Sequence, residues 1–437
     1  MSKKNKMRRL VELGKDVLIV LLACSAVLLA SRSQLEDPIR SLWREEAQTG
    51  AERDPVEERG DMVRPLRMVA NLPGGGGLLR CGIQYDTAVS DDLFRQTAGL
   101  LVETLSSADA PEEVSRSAWE QALTSAPGLA MDFQGQLPVS VLMGWLGGGE
   151  PGPQGVARRM VLTVWQDSVA VYYREEDSGR YYRCISEAAN QLQLTQALSA
   201  LTENGASFAF ESELYRELDP DTLILEQTPE LTVYDVTNPL AGGRGGLEQL
   251  MADLGIPLDT SSFYATGDEQ VARNGSDSLR LSDRGTAVYE EGESGTARFP
   301  VGSGILFERV EACRRLAAAT VGARGGQARL YLISAQETGE GLEVRFGYCL
   351  NGAAVQPEMG YAAEFLVENG RISRFELNFR SYTAGSETGV LLPVRQAAAA
   401  MEAMGLKGEE LLVLYRNDGE RAVPTWVAAS DGLTEKG

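Results

Sequence analysis

The stretch Ala363-Glu364-Phe365-Leu366-Val367-Glu368-Asn369-Gly370-Arg371-Ile372-Ser373-Arg374-Phe375-Glu376-Leu377-Asn378-Phe379 decides the fold class. Asn-Gly supplies the two left-handed residues that a tight hairpin turn needs, and here it separates two apolar runs. After the turn Phe375, Leu377 and Phe379 recur at every second residue, the period of a strand with one buried face. Upstream, Leu342, Val344, Phe346 and Tyr348 alternate in the same way, and Ala328–Ile333 reads as another strand. Two amphipathic helices flank the set. One is expected over 304–321, with Leu306, Val310, Cys313, Ala317 and Val321 on one stripe. The other is expected from Pro393 to Met404, stopped by Gly405. Leu411–Tyr415 and Val423–Val427 read as a closing strand pair. Antiparallel hairpins with helices between them predict an α+β fold, not a doubly wound sheet.

The rest of the body carries weaker signals of the same kind. Leu66-Arg67-Met68-Val69 reads as a strand just after Pro65, where folded chain is expected to begin, and Gly74-Gly75-Gly76-Gly77 marks a flexible turn. Leu93 to Leu105 reads as an amphipathic helix, and Ser115 precedes a second with Ala118, Trp119, Ala122 and Leu123 along one side. Met160–Trp165 and Val169–Tyr173 form a hairpin pattern around Gln166-Asp167-Ser168, followed by a polar helix pattern from Glu187 to Leu201. Leu231–Val236 reads as a strand and Leu247–Leu254 as a helix, with short strands around Ser262–Tyr264, Leu279–Leu281 and Thr286–Tyr289. The breaks predict two or three α+β domains, over 63–215, 216–303 and 304–430, and a tail at 431–437.

Ahead of the body lies a different kind of sequence. Val17 to Ala30 reads VLIVLLACSAVLLA, fourteen residues without a charge. At about 1.5 Å per residue this spans roughly 21 Å, and snorkelling by Lys15 and Arg32 closes the gap to a hydrocarbon core of about 30 Å. Residues 1–15 hold six basic residues against Glu12, a net +5. The positive-inside rule then places the basic tip 1–15 in the cytoplasm, a transmembrane helix over 16–31, and a mixed-charge stalk over 32–62 outside. The expected location is the cell membrane, single-pass, with an extracytoplasmic body. A cleaved signal peptide fits less well, because the candidate sites place Leu28 or Leu29 three residues before the cut. The lipobox-like Leu21-Leu22-Ala23-Cys24 would make Cys24 an acylated residue, yet more apolar chain follows it. Within the span the small residues Ala23, Cys24, Ser25 and Ala26 permit close helix–helix approach, so they are the candidate partner contact in the membrane.

Composition narrows the function. The 437 residues include no histidine, which removes the commonest general base, metal ligand and triad partner. Lysine occurs only at 3, 4, 6, 15, 407 and 436, which leaves Schiff-base and P-loop chemistry almost nowhere to sit. The net charge of −21 becomes −26 once the basic tip is set aside, and such a body repels nucleic acid and anionic lipid. No catalytic, cofactor-binding or metal site is expected, and no small-molecule substrate.

Individual motifs point the same way. Ala241-Gly242-Gly243-Arg244-Gly245-Gly246 opens a helix but matches neither dinucleotide nor P-loop spacing, so it reads as a loop. Asn274-Gly275-Ser276-Asp277-Ser278 lacks the EF-hand pattern and reads as a polar turn. Glu175-Glu176, Glu290-Glu291 and Glu409-Glu410 read as solvated turns. Cys81, Cys184, Cys313 and Cys349 leave two readings open. Bridges Cys81–Cys184 and Cys313–Cys349 would each stay within one expected domain. Alternatively they are buried thiols, since Cys313 sits on an apolar helical stripe. With no CxxC and no histidine, thiol catalysis has no support.

Several of these residues together resemble the YycH/YycI family, the single-span accessory proteins that regulate the WalK (YycG) sensor histidine kinase in low-GC Gram-positive bacteria. Pro65-Leu66-Arg67-Met68-Val69, Tyr85-Asp86, Trp119 and Leu137-Pro138 are similar to the opening of YycH. Leu391-Leu392-Pro393, Leu411–Tyr415 and Val423-Pro424-Thr425-Trp426-Val427 are similar to the ending of YycI, as are Phe346-Gly347-Tyr348, Asn351-Gly352 and the Asn369-Gly370 hairpin. The resemblance implies a non-enzymatic role in the cell envelope as a two-component system regulator. Its expected partners are a sensor histidine kinase and a paralogous accessory protein. Two other readings stand against it: an anchored cell-wall hydrolase using a carboxylate pair, and a lipoprotein that captures a small ligand.

Overall fold

In a computed structural model of the protein, residues 59–429 are described, except 75–78, 108–109, 149–152, 293–296, 303 and 359. Contacts divide the chain into Met1–Glu52 with Asp253–Gly255, and Arg53–Ala252 with Ile256–Gly437, the body. The expected transmembrane helix 16–31 lies outside the described residues. No helix among those described is long and apolar enough to cross a membrane. Folded chain starts slightly earlier than the sequence suggested, since Met62 and Val63 in the short turn Asp61–Val63 are already buried.

The first sheet uses β1 (Arg67–Leu72), β2 (Leu79–Ile83), β3 (Glu112–Val114), β4 (Gly128–Pro138), β5 (Val156–Trp165), β6 (Ser168–Glu175) and β7 (Tyr181–Ser186). They pair antiparallel in the order β2-β1-β4-β5-β6-β7-β3. All six residues of β1 are buried, because helices cover both faces of the sheet. The helix α1 (Thr87–Ser107) packs with α4 (Gln191–Leu198) against one face. Between them in sequence come α2 (Arg116–Thr124) and α3 (Val139–Trp145). Ser115 caps α2, accepting from the Ala118 N–H at 3.2 Å. That fixes the helix so that Trp119, Ala122 and Leu123 pack on Val69, Ala130, Val161 and Ala170.

After a two-stranded ribbon, β8 (Ser207–Phe208) with β9 (Leu223–Ile224), the segment expected as a middle domain contributes β10 (Leu231–Thr237), α5 (Arg244–Asp253), β11 (Ser261–Thr266), β12 (Glu269–Asn274), β13 (Asp277–Ser282) and β14 (Thr286–Glu290). These strands have no sheet of their own. β14 pairs with β19 (Arg371–Asn378), and β10 pairs with β20 (Ser381–Gly389) and β22 (Arg421–Ala429). Sheet membership therefore crosses the boundary near 303 that turn signals suggested.

The remaining strands are β15 (Arg329–Glu337), β16 (Leu342–Leu350), β17 (Ala353–Gln356), β18 (Ala363–Glu368) and β21 (Glu410–Asn417). A second sheet runs β11-β12-β13-β14-β19-β18-β16-β15. The Asn369-Gly370 turn joins β18 to β19 with φ of 48° and 74°, as the dipeptide dictates. Helix α6 (Leu306–Ala317) packs on this sheet and runs on through a π turn, Ala318–Gly322. A third sheet runs β20-β10-β22-β21-β17 and packs against α7 (Val394–Ala403) through Val394, Ala397, Met401 and Leu411. The sheets meet at two places. Gln136 of β4 pairs parallel with Ser334 of β15, and β17 pairs with both β16 and β21. The architecture is α+β and rich in antiparallel pairs.

Candidate functional site

The densest chemistry among the described residues is a buried charge cluster where the start of β21 packs its Glu410 side chain against β1 and β5 of the first sheet. Adjacent strands β1, β4 and β5 bring Arg67, Asp132, Arg158 and Arg159 together, and Glu410 enters from the start of β21. Arg158 donates to Asp132 Oδ1 at 3.0 Å and to Glu410 Oε2 at 2.7 Å, while Arg159 reaches Glu410 Oε1 at 2.8 Å. Arg67 bonds both carboxylates. Beside them Arg116 grips Asp221 with two bonds, of 2.6 and 3.1 Å, and Trp119 Nε1 donates to the same carboxylate at 3.2 Å. Burial alone pushes the two central carboxyls up, but Arg158, Arg67 and Arg159 outweigh it. Asp132 is held far below the carboxylate range and Glu410 at about 2. Asp219 and Glu176 go the other way: burial raises both despite nearby arginines. The cavity lined by Trp119, Arg159, Glu176, Asp219 and Glu410 measures about 10 Å³, the space of one water, so no sugar ring enters here.

Larger openings lie elsewhere. A cavity of about 500 Å³ lined by Asp61, Arg64, Asp91, Ala318 and Arg329 adjoins one of about 250 Å³ lined by Gln84, Ser90, Tyr234, Gln327 and Asn351. Asp91 bridges Arg64 at 2.6 Å and Arg329 at 2.7 Å along their shared wall. Apolar side chains also reach solvent: Val390 and Leu392 before α7, Met404 after it, and Leu214. The overall arrangement of this body has a counterpart among solved structures. YycH from Bacillus subtilis matches it with a TM-score of 0.54 at 10% identity, over 86% of this chain and 95% of that one. The fold is YycH-like. No family model matches the chain, and no curated protein matches it in sequence.

Within this YycH-like body the sequence-derived candidates scatter. Ala23, Cys24, Ser25 and Ala26 lie outside the described residues. Cys81 is on β2 and Cys184 on β7, with β1, β4, β5 and β6 between them; five spacings of about 4.8 Å put them far beyond the roughly 7 Å limit for a bridge. That pairing is therefore corrected. Cys313 and Cys349 are also free thiols. Burial pushes Cys184 up to about 11 and Cys349 up to about 12, and lifts Cys81 and Cys313 as well. Iodoacetamide at pH 8 is expected to label Cys81, Cys184 and Cys313 only after unfolding, read by intact mass, whereas Cys349, half-buried on the wall of the cavity of about 250 Å³, is expected to react first; fast labelling of the other three in the folded body contradicts their burial.

The remaining motifs are structural. Gly242 and Gly243 take left-handed φ in the loop before α5, and a Cβ at Gly246 would meet Leu240 O at 2.1 Å, so this glycine serves packing. Asn274-Gly275 turns β12 into β13, and the Asp277 carboxylate accepts from Tyr289 Oη at 3.0 Å and Arg298 at 3.2 Å. Among the described residues no group of three or more cysteine or acidic side chains is placed to hold a metal ion. One member of each pair departs from the solvated-turn reading: Glu176 is largely buried, Glu291 is largely buried against Arg371, and Glu410 departs furthest. It is buried, and only its three arginines, dispersed at 67, 158 and 159, explain why.

Proposed function

We propose that this chain is a membrane-anchored extracytoplasmic accessory protein that regulates a sensor histidine kinase by direct contact. The observation that carries the reading is the YycH-like fold, matched over 95% of the solved YycH chain. The sequence adds a basic tip and an apolar run ahead of that fold, the layout of a single-span protein with its body outside. The main buried carboxylates are committed to arginines, which supports contact over catalysis. The partner is a sensor kinase, joined by a paralogous accessory protein, and the membrane helix takes part through Ala23, Cys24, Ser25 and Ala26.

In-cell photo-crosslinking from those four positions tests this. Capture of a histidine kinase is the expected result. Absence of any membrane partner, together with peptidoglycan turnover that vanishes on one Glu→Gln change, would replace the reading with an anchored hydrolase. A diacylated Cys24 at a mature N-terminus would favour the ligand-binding lipoprotein instead.

A further inference from the structure

We propose that the two adjoining cavities beside Asp91 bind a neutral, polyhydroxylated molecule of the size of one sugar ring, seated in the smaller cavity against Gln84 and Ser90. The smaller measures about 250 Å³ and the larger about 500 Å³, and together they fall in the range of about 300–1,000 Å³ usual for small-molecule sites. The wall of the smaller one combines α1, β10, β15 and the Asn351-Gly352 turn. Gln84 and Ser90 supply the deciding observation. Both line this cavity, and each is only 6% exposed. Gln84 Nε2 reaches the Gly352 carbonyl at 3.4 Å, the outer limit of a hydrogen bond, and among the described residues the Gln84 side-chain oxygen accepts nothing. The Ser90 N–H donates to the Asp86 carbonyl at 3.0 Å, but among the described residues its hydroxyl has no partner. Neither oxygen is sealed inside the protein. Buried polar atoms are nearly always paired, so two that line a cavity without a protein partner call for one within it.

Charge and shape select the class of ligand. The charges on the walls are paired among themselves. Asp91 bridges Arg64 at 2.6 Å and Arg329 at 2.7 Å, Arg64 also pairs with Asp61, and Arg314 bonds Glu311 at 2.8 and 3.1 Å. An ionic ligand would have to break one of these pairs. Hydroxyl groups need not, because a paired carboxylate keeps further lone pairs and a paired guanidinium further N–H groups. A hydrocarbon would leave Gln84 and Ser90 stranded. The Tyr234 and Tyr331 side chains also line the cavity, and their rings are flat apolar surfaces that suit the C–H face of a saturated ring. Hydroxyls around an edge and C–H groups on a face describe a sugar. The absence of histidine bears on chemistry performed on a ligand, not on holding one. The inference rests on this cavity and not on kinase contact, so either can fail without the other.

The experiment titrates the full chain in nanodiscs with glucose, galactose, mannose and N-acetylglucosamine, and with glucuronate and glucosamine as charged counterparts. About a dozen heavy atoms at ordinary ligand efficiency give a Kd of about 1 mM, within reach of calorimetry. At least one neutral sugar is expected to bind in that range, and both charged rings at least tenfold more weakly. Cys349 on the same wall reports the place: saturating sugar is expected to slow its alkylation by iodoacetamide at least fivefold. Ser90→Ala and Gln84→Met are each expected to weaken binding about tenfold, the loss of about one hydrogen bond, with the urea midpoint unchanged. If Gln84→Met shifts the midpoint, Ser90→Ala decides. Failure of all four neutral sugars to bind overturns the proposal, and so does tighter binding of a charged ring. Binding that leaves Cys349 alkylation unchanged, or that survives Ser90→Ala in full, puts the ligand elsewhere and overturns the site.

Discussion

Replacing Glu410 with glutamine is expected to cost the body about 3–5 kcal/mol, the usual penalty for stranding buried charge. The substitution is nearly isosteric, so the loss is electrostatic. Arg67, Arg158 and Arg159 all bond this carboxylate, and only Asp132 would remain among them as a central counter-charge. The neighbouring Glu409→Gln serves as the control and is expected to stay within about 0.5 kcal/mol, since no buried partner depends on its side chain. Urea unfolding of both variants measures the difference. Equal midpoints would show that the cluster adds nothing to stability.

The same variant should change the acid limb of stability. The three arginines hold Glu410 well below the value of about 4.3 that it has when unfolded. Its contribution is complete above the unfolded value and is lost as pH falls through the folded one. Asp132, held lower still, extends the loss to more acid conditions. Asp219 and Glu176 act with the opposite sign, because burial raises them and protonation relieves their penalty. Glu410→Gln should therefore flatten the stability profile below about pH 4.3. A profile as steep as that of the parent chain would assign the acid transition to other carboxylates.

Local pattern and long-range partnership were not equally legible in the sequence. The Asn369-Gly370 hairpin and the Ser115 cap depend on neighbours within a few residues and appear as expected; of the stripe Leu306, Val310, Cys313, Ala317 and Val321 the last four are buried, but Leu306 is only half-buried and Val321 lies in the π turn after the α-helix. β4 went unread because Asp132 interrupts its apolar run, and that carboxylate is tolerated only where β1 and β5 deliver Arg67, Arg158 and Arg159. β20 went unread because Ser, Thr and Gly dominate Ser381–Gly389, a composition that stands for a loop unless β10 supplies the ladder. The charge cluster was invisible for the same reason. Its members lie at 67, 132, 158, 159 and 410, and no local spacing links them.

Two identical dipeptides are expected to respond unequally to one substitution, Gly→Ala. Gly352 follows Asn351 in the turn between β16 and β17, and Gly370 follows Asn369 between β18 and β19; their φ values are 71° and 74°. Both pay the left-handed penalty of about 1–2 kcal/mol that any Cβ brings. At Gly370 that is all, because nothing lies within 4 Å of the added carbon. At Gly352 the Cβ would sit 1.8 Å from the Gln84 carbonyl oxygen and 3.3 Å from that of Leu66. Both contacts are backbone, so no side chain can swing away, and overpacking adds about 1–3 kcal/mol. Gly352→Ala is therefore expected to lose roughly 2–5 kcal/mol against about 1–2 for Gly370→Ala, compared by urea midpoints at constant m-value. Equal losses would mean that the turn does not seat against Gln84. The inequality follows from where each turn lies: the Asn369-Gly370 turn points into solvent, whereas Asn351-Gly352 closes onto the end of the first sheet, a contact that a separation of 268 residues conceals from the sequence.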